Sequence, residues 1–168
     1  MKLSNKFEYK NKVIKKSSNL VIYKEATLLV SGVYADSATN RFTNYPKKVI
    51  ERYAKNWKSN FLSLDHSKDV LKRIGKIKNP KYKDGKLVGD LYIYTVTSVA
   101  KDVVKLIDSG LINWMSVEVN TKDKYNYEMD LMEVKEMEFV GASVVSLPAC
   151  PNAKIISNGT DIDDVYYE

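Results

Sequence analysis

Leu111-Ile112-Asn113-Trp114-Met115-Ser116-Val117-Glu118-Val119 is the stretch on which the reading of this chain turns. Apolar residues at 115, 117 and 119 have the period of a half-buried β-strand, and this places Ser116 on the face opposite to theirs. Just upstream, Ser98 is positioned to cap a helix that gathers Val99, Val103, Leu106 and Ile107 on one face. Gly110 can close that helix in a left-handed conformation. Downstream, residues 132–147 read as a second apolar strand, carrying Glu136 and Glu138 in its first half and halted by Pro148.

Toward the N-terminus, residues 20–34 are rich in β-branched and apolar types and form one long strand or two, with Gly32 as a bulge position. Residues 36–44 read as a polar loop. Asn44 is a candidate cap for a following helix, Pro46 suits its first turn, and Val49, Tyr53 and Trp57 recur every four residues as an apolar stripe. Trp57 is read as a core anchor. Residues 70–77 resemble a strand interrupted by Gly75, Asp84-Gly85 signals a hairpin, and residues 87–95 return. Residues 121–127 are polar and charged and read as a loop.

No alternating β-α-β repeat with a phosphate-binding glycine loop is present, and no internal repeat. The expected class is α+β, with a mainly antiparallel, barrel-like β core flanked by two or three helices. Residues 20–156 are expected to form one domain, between a flexible basic arm at 1–19 and an acidic flexible tail at 157–168.

The 44% hydrophobic and 29% charged residues suit a globular domain. No apolar run approaches the roughly 18–20 residues that span a bilayer, and residues 1–19 lack the apolar core of a secretory signal. One cysteine, Cys150, excludes an internal disulfide and fits a reducing compartment. One Cys and one His together argue against a structural zinc site, and no cofactor motif is present. The net charge of +6 is uneven, because the first 19 residues carry six lysines and one glutamate while the last twelve carry four acids and no base. A basic chain with twelve tyrosines raises nucleic-acid binding as an alternative. The lysines are scattered, however, and no helix-turn-helix, zinc-finger or RNA-binding aromatic signature accompanies them.

A serine hydroxyl becomes a nucleophile when a neighbouring base takes its proton, and imidazole suits that task best when a third group fixes its tautomer. His66 is the only histidine, so any such base here is His66 and the third group is an acid or an amide. Ser116 is the preferred nucleophile because a strand orients it, whereas Ser31, Ser98, Ser143 and Ser146 read as strand, cap or turn residues. Asp65 adjoins His66, but adjacent strand residues point to opposite faces. Glu138 is preferred to Glu136 as the acid because it lies closer to the apolar segment. A thiol nucleophile at Cys150 is disfavoured by its structural-looking prolines.

The order of segments resembles the prohead maturation proteases of tailed bacteriophages, a family related in fold to the herpesvirus assembly proteases. The resemblance is carried by Asn44-Tyr45-Pro46 with the helix leading to Trp57, and by Leu62-Ser63-Leu64-Asp65-His66 followed by Ile74-Gly75-Lys76-Ile77. It continues in Trp114-Met115-Ser116-Val117 after Gly110, and in residues 138–153, which include Ser146-Leu147-Pro148-Ala149-Cys150-Pro151-Asn152-Ala153. It implies His66 as general base and Ser116 as nucleophile of a serine endopeptidase acting through an acyl-enzyme. It also implies that the substrates are phage scaffold and major capsid protein, with self-cleavage common, inside the immature prohead in the host cytoplasm. The acid usual just before the serine-valine strand appears here as Gly141, which leaves Glu138 as a shifted third member. The herpes-type enzymes use a second histidine that this chain lacks, so Ser–His–acid or a bare dyad remains. An inactive head-assembly protein of the same fold is the alternative, and the choice between monomer and homo-oligomer stays open.

Overall fold

A computed structural model describes residues 15–35, 41–147, 150, 153 and 155. Nine strands and two helices follow one another as β1 (Lys15–Ser17), β2 (Leu20–Val30), β3 (Gly32–Ala35), β4 (Phe42–Tyr45), α1 (Lys47–Tyr53), β5 (Phe61–Leu64), β6 (Arg73–Lys83), β7 (Lys86–Tyr94), α2 (Ser98–Asp108), β8 (Trp114–Asn126) and β9 (Leu131–Val145). A short 3-10 turn at Val70–Lys72 leads into β6.

One sheet runs β1-β2-β7-β6-β5-β9-β4-β3, with β8 laid along β9. All pairings are antiparallel except β4 with β9 and β5 with β9. This is the expected α+β class with a mainly antiparallel, barrel-like sheet. Among the described residues no ladder joins β2 to β8, so the sheet is not closed there. The 20–34 segment divides at Ser31 into β2 and β3. Lys15–Ser17, set aside with the basic arm, pairs with β2. Residues 1–14 and 156–168 lie outside the described residues, so most of the arm and the whole tail do too.

The core is built from the alternating inner faces of these strands. Tyr23, Leu28, Leu62, Leu87, Leu91, Ile93, Met115 and Phe139 are fully buried. Helix α2 covers one part of it with Ala100, Val103, Val104 and Ile107, and the Tyr23 hydroxyl donates to Asp108 Oδ1 at 2.8 Å, tying the helix to β2. Val99, expected on the buried stripe, is exposed, and the helix cap is Thr97 rather than Ser98, its hydroxyl accepting from the Ala100 N–H. Gly110 has φ +80° and ends the segment as expected.

Three expectations fail, two of them because strands run further than composition suggests. Asn44 does not cap α1, because it is paired with Val33 in β4. Residues 121–127 are not a loop, since β8 runs on to Asn126 against β9. Polar composition there reflects an exposed ladder rather than a turn. Helix α1 stops at Tyr53, short of Trp57, which stacks on Phe139 with ring centroids 4.8 Å apart. Trp57 is nonetheless a core anchor, as expected. Asp84 and Gly85, both at positive φ, make the β6–β7 hairpin.

Two bulges, one in β2 and one in β6, flank Asp90 of β7. Its nearly buried carboxylate accepts from Lys24 Nζ at 3.0 Å, the Glu25 N–H at 3.0 Å and Asn79 Nδ2 at 2.9 Å. Burial pushes Asp90 up, but these donors outweigh it and hold the carboxyl below the usual value. No helix among the described residues is long and apolar enough to cross a membrane.

Candidate active site

Strand β9 is the ruler against which the site is laid out. Ser143, fully buried, has Ser63 of β5 as its register partner on one side and Ser116 of β8 on the other. Met115 packs its side chain entirely into the core, so alternation turns Ser116 to the other face. The outer edge of β8 is fixed by the Met115 N–H donating to Ala153 O at 2.8 Å and the Ile155 N–H donating to Asn113 O at 3.0 Å. The buried Cys150, Ala153 and Ile155 are thus structural, as expected of that segment.

His66 leaves β5 on a tight turn. Asp65 and His66 have φ of +46° and +55°, and the Ser67 N–H donates to Leu64 O at 2.9 Å. Such left-handed residues cost about 1–3 kcal/mol each and persist only where their surroundings hold them. Here β9 does so, because the Asp65 N–H donates to Val144 O at 3.0 Å and the His66 N–H donates to Ser143 Oγ at 3.0 Å. Asp65 therefore sits in a turn rather than on a strand, and its carboxylate accepts from the Ser146 N–H at 3.4 Å instead of facing the imidazole.

The two expected residues come together. His66 Nε2 lies 2.9 Å from Ser116 Oγ. The third place is taken by a different acid from the one expected, with Glu118 Oε1 3.0 Å from His66 Nδ1. Glu138 is the register partner of Asn120 and lines a separate cleft with Tyr53 and Asn56. Glu136 is paired with Lys122 at 2.9 Å. Neither makes a described contact with His66. Between the rungs Glu118–Gly141 and Val119–Phe139, β9 carries one extra residue, Val140. This bulge resets the faces of the strand. The signal for Glu118 was its spacing, since residues i and i+2 of a strand share a face.

An ionised carboxylate only accepts, so its bond to Nδ1 places the ring proton there and leaves Nε2 to accept from the serine hydroxyl. That arrangement can draw a proton from Ser116 as its oxygen attacks a carbonyl carbon, with the carboxylate holding the imidazolium that forms. The side chains of His66 and Glu118 are 37% and 43% exposed, so water screens their attraction and orientation is the larger part of what Glu118 supplies. A cavity of about 390 Å³ opens beside Ser116 and His66. Among the described residues, no group of three or more His, Cys, Asp or Glu side chains is placed to hold a metal ion.

The family model of the caudovirus prohead serine proteases matches residues 47–166, a span that contains all three side chains. The chain belongs to that family. The backbone is also similar to the capsid assembly protease of bacteriophage T4, with a TM-score of 0.50 and 15% identity over 77% of this chain and 98% of that one. At that identity the likeness shows the fold, which this prohead protease family member shares. A comparison with curated protein sequences finds no match.

Proposed function

We propose that this chain is the serine endopeptidase of phage head maturation, with Ser116 as nucleophile, His66 as general base and Glu118 orienting the imidazole. The observation that carries the reading is the unbroken contact chain Ser116 Oγ–His66 Nε2 and His66 Nδ1–Glu118 Oε1, at 2.9 and 3.0 Å. An inactive head-assembly protein has no need of a serine, a left-handed histidine and a carboxylate aligned on one face.

The reaction begins with a peptide carbonyl seated above Ser116. The hydroxyl proton passes to Nε2 as Oγ bonds to the carbonyl carbon, and the imidazolium is held by Glu118. Nε2 then protonates the leaving amine, which departs with the C-terminal fragment and leaves an ester on Ser116. Water, deprotonated by the same nitrogen, hydrolyses that ester and restores the hydroxyl. Membership of the family supports capsid proteins as substrates, which in this reading are scaffold and major capsid protein, with self-cleavage a further reaction of the same site. Membership of the family also supports a site of action within the phage prohead in the host cell.

Co-expression with the capsid precursor and scaffold of the same phage tests this. Wild type should process at least one of them, and Ser116→Ala should process neither. Processing by the Ser116→Ala protein would overturn the assignment.

A further inference from the structure

The cavity against Ser116 and His66 is more apolar than the chemistry alone requires. Its 390 Å³ falls within the roughly 300–1,000 Å³ of ligand pockets. Leu28 and Leu29 of β2 and Cys150 form buried parts of its wall, and Tyr34, Ala35, Tyr45, Val117 and Val119 also line it. Of its polar groups, the Tyr34 hydroxyl donates to Val30 O at 2.7 Å and lies against the Cys150 thiol, and the Glu118 carboxylate holds His66. Among the described residues, no lysine or arginine lines it.

We propose that this cavity is a specificity subsite that takes one large apolar side chain of the polypeptide, close to the scissile bond. The proposal rests on Ser116 being the nucleophile. The occupant follows from continuity, since a chain whose carbonyl lies on Ser116 must place a neighbouring residue in the space that Ser116 itself lines. The Met115 N–H points away from β9, and alternation turns the Val117 N–H to that same edge. An extended substrate laid along that edge would direct alternate side chains toward Leu28 and Tyr34. A charged side chain there would lose its water without gaining a partner.

Tripeptidyl diphenyl phosphonates, which phosphonylate an activated serine, provide the test. Each of the three positions is varied in turn among Leu, Phe, Lys and Glu, and the rate of Ser116 modification is read by mass spectrometry. At one position Leu or Phe should exceed both Lys and Glu by about 10–200-fold. Val119→Lys should shift that position toward Glu, and Tyr45→Ala should shift it toward Phe over Leu, so that misfolding of one variant leaves the other. Equal rates at all three positions, or a preference that neither folded variant alters, would overturn the subsite. A small non-peptidic fluorophosphonate run alongside separates the two levels. If it labels Ser116 while the peptide series shows no preference, only the subsite fails. If it leaves Ser116 unmodified in folded protein, the nucleophile assignment fails and the subsite with it.

Discussion

Glu118 and Gly141 are register partners across the β8–β9 ladder, so the carboxylate on His66 stands directly opposite the position where the resemblance implied an acid. The carboxylate that meets His66 comes from the neighbouring strand at the same rung. Position 141 is poorly suited to a side chain here, because a Cβ on Gly141 would lie 3.1 Å from Phe61 O. Glu118, two residues from Ser116 on one strand, needs no such room.

The first prediction concerns this exchange. Glu118→Gln should lower kcat by about 10²–10⁴-fold, because an amide can stabilise the wrong imidazole tautomer. Screening at this exposed site places the expectation toward the lower end. Glu138→Gln and Glu136→Gln should stay near wild type. Cleavage rates of the four proteins on one precursor decide it, and a larger loss at Glu138 than at Glu118 would return the role to Glu138.

Ser143 is predicted to position His66 without touching substrate. Ser143→Ala removes the acceptor of the His66 N–H, a part-buried bond, at a cost of about 1 kcal/mol. Activity should fall at least tenfold, through kcat rather than KM, and Ser143→Thr should recover part of it. A loss in stability alone, with kcat unchanged, would reduce Ser143 to a packing residue.

Much of this site was readable from composition and period. A single histidine left one candidate base, and alternation around Met115 turned Ser116 away from the core. Glu138 was preferred for its nearness to an apolar run, yet it stands opposite Asn120, one rung beyond Glu118 on the same face, and the Val140 bulge that sets this register leaves no mark in the residues themselves. The same strand period that selected Ser116 also selects Glu118. In the fold, the hairpin at Asp84-Gly85 and the stop at Gly110 were legible because special backbone angles demand special residues. The exposed half of β8 was not, since a solvated ladder has the composition of a loop, and the short, polar β4 gave too little period to read.

Asp90 should make stability acid-sensitive. Its carboxyl is held below the ordinary value in the folded chain, so its contribution is complete above about pH 3.9, the unfolded value, and is lost as pH falls through the folded value. Asp90→Asn should lower Tm at neutral pH and flatten its decline below pH 4. Thermal melts of both proteins from pH 7 to pH 2 test this, and parallel curves would exclude the linkage.

Gly75 should tolerate no side chain. A Cβ there would stand 1.9 Å from the Tyr92 carbonyl oxygen, inside the β6–β7 ladder that follows the His66 turn. Gly75→Ala should cost about 1–3 kcal/mol or more, the range of overpacking strain. Gly110→Ala, with open space around it and φ +80°, should cost only the smaller left-handed penalty of about 1–2 kcal/mol. Denaturant melts rank the two, and the reverse order would contradict the contact argument.

The central claim is that His66 activates Ser116, and the most direct measurement is the rate and site of modification by diisopropyl fluorophosphate in wild type and in His66→Ala. A single adduct mapped to Ser116 by mass spectrometry is predicted, forming about 10²–10⁴-fold more slowly without the imidazole. An adduct on any other residue, or equal rates at Ser116 in the two folded proteins, would contradict it.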